Sequence, residues 1–145
     1  MSFYKIVQVR DKKYYSMMPV IGSFCSLQYK PGKRTRLPKA LKAIKQPMFA
    51  CDSIESAKQI ARAYLSYKMN ANVQLEIWEC EIVEDKSKRR VLTNLESVRL
   101  LANNECDISS CTKRKRSAHS PGTVFARMIK LIRKRVGHKK LCETL

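Results

Sequence analysis

Asp52-Ser-Ile-Glu-Ser-Ala-Lys-Gln-Ile-Ala-Arg-Ala-Tyr-Leu65, followed after a short polar break by Val73-Gln-Leu-Glu-Ile-Trp-Glu-Cys-Glu-Ile-Val83, is the part of the chain that decides the fold class. In the first stretch Ile54, Ala57, Ile60, Ala61, Tyr64 and Leu65 recur at steps of three and four, which predicts an amphipathic helix to about Met69, terminated by Asn70 and Asn72. Asp52 and Glu55 have the spacing of a capping box, so Asp52 is the expected N-cap. The second stretch alternates apolar and polar residues as a half-buried strand does, except that the apolar phase shifts between Ile77 and Trp78. A β-bulge accounts for the shift. A helical period beside a strand period predicts an α+β domain.

Upstream, Phe3 to Val9 is β-branched and aromatic, and Tyr14 to Val20 resumes the apolar pattern after Asp11-Lys-Lys13, which predicts an N-terminal β-hairpin. Tyr29-Lys-Pro-Gly-Lys33 places Pro and Gly at the centre of a turn. Pro38 starts a short predicted helix over 36–44, and Phe49-Ala-Cys51 is a short predicted strand. Downstream, Asp85 to Arg90 is a charged turn, Val91-Leu92 a short strand, and Asn94 the cap of a helix carrying Leu95, Val98 and Leu101. The core is expected to end there. Asn103 to Ser120 has few large apolar residues and predicts a basic linker over 103–120. Ser120-Pro121 supplies a cap and a first-turn proline. Val124, Phe125, Met128, Ile129, Leu131, Ile132 and Val136 then predict an amphipathic basic helix over 121–145. The expected architecture is a small twisted, mostly antiparallel sheet with one packed helix over 1–102, plus that C-terminal helical extension.

The 145 residues include 30 Lys and Arg against 12 Asp and Glu, for a net charge of +18, while 44% of residues are hydrophobic. That apolar content is enough for a core and argues against a disordered basic tail. The excess charge is segregated. Between Lys12 and Cys51 there is no acid, and between Lys113 and Cys142 there is none, whereas nearly all the acids fall between Asp52 and Asp107. Two cationic blocks repel each other in a folded chain, which points to an anionic partner that offsets the repulsion. The expected phosphate-binding residues are Lys30, Lys33, Arg34, Arg36, Lys39, Lys42 and Lys45 in the first block. In the second they are Lys113, Arg114, Lys115, Arg116, Arg127, Lys130, Arg133, Lys134, Arg135, Lys139 and Lys140. Lys113-Arg-Lys-Arg116 also has the composition of a nuclear localisation signal. The partners expected are nucleic acid or another polyanion and neighbouring proteins in an assembly; an anionic membrane surface is the less favoured alternative for the C-terminal helix. Tyr4, Tyr14, Tyr15 and Tyr29 are either base-stacking residues or sheet and core residues.

No apolar run is long enough to span a membrane, and no basic start followed by an apolar run marks a secretory signal. The six cysteines are therefore expected to be reduced thiols, in an intracellular setting, a virion or the nucleus. Cys51 and Cys80 fit small core positions. Cys106 and Cys111 would share zinc only if His138 and Cys142 completed the tetrahedron, and the spacing between the pairs matches no common zinc module. His119 remains unassigned. A Cys-His nucleophile lacks a visible partner set, and four glycines at 22, 32, 122 and 137 match no phosphate loop, so no cofactor and no metal are expected.

Tyr4-Lys-Ile-Val, Tyr29-Lys-Pro-Gly, Phe49-Ala-Cys-Asp-Ser-Ile-Glu-Ser-Ala57 and Ile77-Trp-Glu-Cys-Glu81, in that order, resemble a loose family of small uncharacterised proteins of phages and large DNA viruses. The resemblance covers Phe3 to Val83. The leading expectation is a non-enzymatic structural or interaction protein, a minor component of a viral particle or another nucleic-acid-containing assembly, whose basic blocks bind phosphates without sequence specificity. The same strand, helix and acidic strand faintly resemble part of an ADP-ribosyltransferase-type fold. That resemblance implies a basic or His residue on the first strand and a late Glu, positions that only Arg10 and Glu79 or Glu81 fill. A third reading is a soluble inhibitor whose basic surface competes with nucleic acid.

Overall fold

Phe3–Arg10 (β1) and Lys13–Ser16 (β2) pair antiparallel with Arg10 opposite Lys13, so Asp11 and Lys12 alone turn the chain. Both have positive φ, 50° and 63°, the two-residue geometry whose twist matches that of the flanking strands. Asp tolerates this region through its short polar side chain, whereas Lys gains nothing from it. Lys12→Gly is therefore expected to raise stability by about 1 kcal/mol, read as a higher urea midpoint at constant m. A lower midpoint would contradict this account of the turn.

The computed structural model describes residues 2–17, 27–36, 48–86, 91–92, 113–114 and 121–143. After the hairpin, Gln28–Tyr29 (β3) pairs with β2. The Lys30-Pro-Gly-Lys33 turn closes with the Lys33 N–H donating to the Lys30 carbonyl at 3.0 Å. Gly32 there has φ 78°, as a type II turn requires at its third position. Arg34–Arg36 (β4) and Met48–Cys51 (β5) follow. Then come helix α1, Ile54–Ser66, a 3-10 turn at Lys68–Asn70, and the long strand Leu75–Glu84 (β6). Val91–Leu92 (β7) pairs with Lys113–Arg114 (β8), Thr123–Val136 is β9, and His138–Cys142 is a short helix, α2. The predicted helices over 36–44 and 94–101 lie outside the described residues.

The molecule is α+β, a mostly antiparallel sheet with one main packed helix and a short second one, as the sequence predicts. β6 pairs with β1 on one side and β9 on the other, and β5 bridges β1 and β9, so these four strands form a closed ring of pairings. Inside the ring lie Val7, Met48, Ala50, Trp78, Cys80, Ala126, Ile129 and Leu131, with Tyr29. Outside it, α1 lays Ala57, Ala61 and Leu65 over Ile6, Leu75, Ile77 and Val136, and Leu141 of α2 joins them. β1 and β6 are thus covered on both faces. That explains the phase shift at Ile77/Trp78: Leu75 and Ile77 face the helix, Trp78 and Cys80 face the interior, and the burial changes side along an unbroken pleat. A register shift does occur between Ile77 and Trp78, but its extra residue, Arg135, is on β9.

Three expectations are corrected here. First, the N-cap of α1 is Ser53 and not Asp52: Ser53 is extended (φ −144°, ψ 154°) and its hydroxyl accepts the Ser56 N–H at 3.1 Å. The Asp52 N–H instead donates to the Gly122 carbonyl. At the other end the helix stops at Ser66, before the expected Met69, and the Asn70 side chain donates to the Tyr64 carbonyl. Second, residues 123–136 are not a helix of a separate extension but a 14-residue strand at the centre of the sheet, so the core does not end near Leu101. Against β6 the register of β9 slips by one residue three times, leaving Arg127, Ile132 and Arg135 as extra residues. Each bulge resets the two-residue period, and the resulting spacing of three and four imitates a helix. The only described helical residues in 121–145 are those of α2. Third, Lys113 and Arg114, assigned to the linker over 103–120, form a strand with β7.

Candidate nucleic-acid interface

β4 carries Arg34 and Arg36 of the first cationic block and β9 carries Arg127, Lys130, Arg133, Lys134 and Arg135 of the second, and the two strands are hydrogen-bonded neighbours. Arg34 lies opposite Lys130 and Arg36 opposite Met128. Residues directly opposite share a face, and Thr35 and Ile129, the intervening pair, turn the other way, Ile129 into the interior. Arg34, Arg36 and Lys130 therefore stand together on the outer face. The β3–β4 turn is pinned to the same strand by the Gly32 N–H, which donates to the Leu131 carbonyl at 2.9 Å, and exposes Lys30 and Lys33 beside them. Arg127 is exposed at the first bulge of β9. Lys139 and Lys140 are exposed on α2, apart from this group. Lys39, Lys42, Lys45, Lys115 and Arg116 lie outside the described residues, and Lys113 and Arg114 are placed by their backbone in β8.

The lower part of β9 is charged differently. Glu79 Oε2 pairs with Arg133 Nε at 2.9 Å and Glu79 Oε1 with Arg135 Nη1 at 3.0 Å, while Glu76 meets Lys134 at 3.8 Å. Both glutamates thus have their basic partners on β9. Glu79 is thereby committed to two guanidinium groups. It pairs in register with Tyr4, six residues from Arg10 along β1, about 20 Å at strand rise. The Arg and Glu that an ADP-ribosyltransferase-type site would need are not brought together. Arg10 stacks over the Tyr15 ring at 4.1 Å instead.

Of the four tyrosines for which the sequence left stacking and core roles open, Tyr29 is 1% exposed and belongs to the core. Tyr4, Tyr14 and Tyr15 are half-buried: Tyr4 packs against the cluster under α1, Tyr14 lies edge-on against Trp78 at 5.1 Å, and Tyr15 lies under Arg10.

Two groupings stand apart from this interface. Lys5, on β1, is 7% exposed and points into the ring interior, where its Nζ donates to the Phe49 carbonyl at 2.7 Å and sits 5.4 Å from the Tyr29 ring centre. Among the described residues no carboxylate lies within ion-pair distance of it. Tyr29 Oη is also buried without a hydrogen-bond partner. A lysine in an otherwise strand-forming stretch carries no sequence signal for such burial. The second grouping is His138 and Cys142, which one turn of α2 brings together with Nε2 3.4 Å from Sγ. The Leu75 N–H donates to His138 Nδ1 at 3.1 Å. With Nδ1 accepting, the proton of the neutral ring sits on Nε2 and faces the sulfur. Such a ring neither takes the thiol proton nor ligates zinc through Nε2. The His138–Cys142 contact thus lies within α2, and it is the bond from the Leu75 N–H to His138 that fastens α2 to β6. Among the described residues no group of three His, Cys, Asp or Glu side chains is placed to hold a metal; Cys106 and Cys111 lie outside them.

Burial pushes the Cys51 thiol up to about 11 and the Cys80 thiol up to about 12, with the Lys5 ammonium pulling both the other way. Because the folded values lie above the ordinary 9.0, the stability these protonated thiols confer is complete below about pH 9 and is lost as pH rises toward 11 and 12. Iodoacetamide at pH 8 is expected to label Cys142, which is half-buried, and to spare Cys51 and Cys80 until the protein is denatured. Peptide mass mapping checks this; native labelling of Cys80 would contradict its place in the core.

The fold and surface together define a class: an α+β protein whose curled antiparallel sheet carries a cationic outer face. No protein-family model, no curated protein and no solved structure matches the chain. Among the described residues, no helix is long and apolar enough to cross a membrane.

Proposed function

We propose that this chain is a non-enzymatic interaction protein that binds nucleic-acid phosphates without sequence specificity, as a minor component of a viral particle or another nucleic-acid-containing assembly. The observation that carries this reading is the β4–β9 pairing, which sets Arg34 and Arg36 of the first cationic block beside Lys130 of the second on one face although nearly a hundred residues separate Arg34 from Lys130 in the sequence. Concentrating like charge in this way costs energy that an anionic partner offsets. Guanidinium and ammonium groups on rigid strands suit phosphate oxygens, and the burial of Tyr29 and the packing of half-buried Tyr14 against Trp78 favour backbone contact over base stacking at these positions. The viral setting is the part of this proposal that rests on the sequence motifs between Phe3 and Val83 alone.

The test is binding to a labelled random-sequence duplex and to a single strand across a salt series. Each phosphate neutralised on B-form DNA contributes about −0.9 to the slope of log K against log salt, so five or six contacts give roughly −5. The same slope on unrelated sequences is the expected result. Weak binding at low salt, or strong preference for one sequence, would overturn the proposal.

A further inference from the structure

We infer, resting on the phosphate-binding reading above, that the basic surface is divided: a phosphodiester backbone is held at the β4–β9 junction, while the Arg133-Lys134-Arg135 segment is neutralised by the protein itself and takes no part. The sequence draws no such distinction, since all these bases belong to blocks without acids. The structure does, because β6 pairs with β9 from Ala126 to Val136 and its acids are engaged differently: among the described residues Glu76 and Glu79 form ion pairs with β9, and Glu81 and Glu84 form none.

At the lower end Glu79, whose side chain is 15% exposed, reaches two arginines that are more exposed than itself, at 2.9 and 3.0 Å. Glu76 meets Lys134 between them. A carboxylate already held between two guanidinium forks leaves them less charge and fewer donors for a phosphate. At the upper end, Lys30, Lys33, Arg34, Arg36 and Arg127 are exposed and Lys130 is half-buried. Glu81 faces Lys130 in register and Glu84 pairs with Ala126 at the border of the patch, but among the described residues no ion pair within 4.0 Å joins either to these bases. Arg34 and Arg36 are two residues apart on one strand face, about 7 Å, with Lys130 about 5 Å across from Arg34. Such a row presents separate cations to successive phosphates, and two of the three are bidentate donors.

The experiment measures the salt slope for a random-sequence duplex with the full chain and three variants. Arg34→Gln with Arg36→Gln and Lys130→Gln is expected to make the slope about 2.7 less negative, three times the contribution of one phosphate. Arg133→Gln with Arg135→Gln and Glu79→Gln removes the clamp, two cations and one anion, and is expected to shift the slope by less than the roughly 0.9 of one phosphate contact. Glu79→Gln alone releases both arginines and is expected to make the slope steeper by about 1 to 2. Circular dichroism confirms that each variant is folded before its slope is read. If the unmodified protein binds with a steep slope, but the loss follows the clamp variant and not the junction variant, the division is wrong and the phosphate-binding reading stands. If it shows no salt-dependent binding to nucleic acid, or binds only anionic phosphatidylserine vesicles, the reading itself fails.

Discussion

Gly122→Ala is expected to destabilise the protein by about 2–4 kcal/mol, far more than the same change at Gly32. Both glycines have positive φ, 84° and 78°, so an alanine at either position bears the steric cost of the left-handed region, about 1 kcal/mol. They differ in what surrounds them. A Cβ on Gly32 meets nothing within 4 Å, whereas on Gly122 it would overlap Ser56 Oγ and stand 2.7 Å from Ser56 Cβ and 2.9 Å from Asp52 Oδ1. Those atoms belong to the first turn of α1, held by the Ser53 cap and by the bond from Asp52 N–H to the Gly122 carbonyl at 2.9 Å. Relieving the overlap would separate the start of β9 from the start of the helix, and forced overpacking of this kind adds roughly 1–3 kcal/mol. Urea unfolding of the two variants at constant m gives the comparison directly. Equal, mild losses would mean that the Ser56 side chain moves aside and that this junction is loosely packed.

Lys5→Met has the opposite sign: it is expected to raise stability by about 1–3 kcal/mol. The ammonium is desolvated in the ring interior with one carbonyl acceptor at 2.7 Å and one aromatic face, and no carboxylate among the described residues repays the loss of water. Methionine preserves the volume of the chain and forfeits the hydrogen bond and the cation–π contact, together about 1–2 kcal/mol. For a domain of this size the net gain corresponds to a rise in melting temperature of several degrees. A second readout accompanies it. Lys5 holds the Cys51 and Cys80 thiols below where burial alone would put them, so both should resist alkylation to still higher pH in the variant. A lower melting temperature would show that the interior is organised around the lysine, with the unpartnered Tyr29 hydroxyl as the first place to look for what it serves.

Where the sequence was legible, one element's pattern had one cause. The face of α1 is a single apolar stripe set by Ala57, Ala61 and Leu65, and the Pro31-Gly32 turn follows from φ preferences alone. β9 was misread because its apolar spacing has two causes at once, the pleat and three bulges. Its β-branched residues, Thr123, Val124, Ile129, Ile132 and Val136, were the signal available for a strand. The candidate interface was legible as composition, since every exposed base in it was named from the two blocks. Its division was not, because ion pairs such as Glu79 with Arg133 join residues more than fifty positions apart.

The sequence by itself determined the α+β class, the main helix, the hairpin and the cationic excess, because these depend on periodicity, backbone preference and charge within short windows. Only the tertiary structure decided that residues 123–136 run as the central strand, that Lys5 is buried, and which bases are neutralised. Those outcomes are set by pairing between distant strands, where β6 supplies β9 with both its hydrogen bonds and its counter-charges.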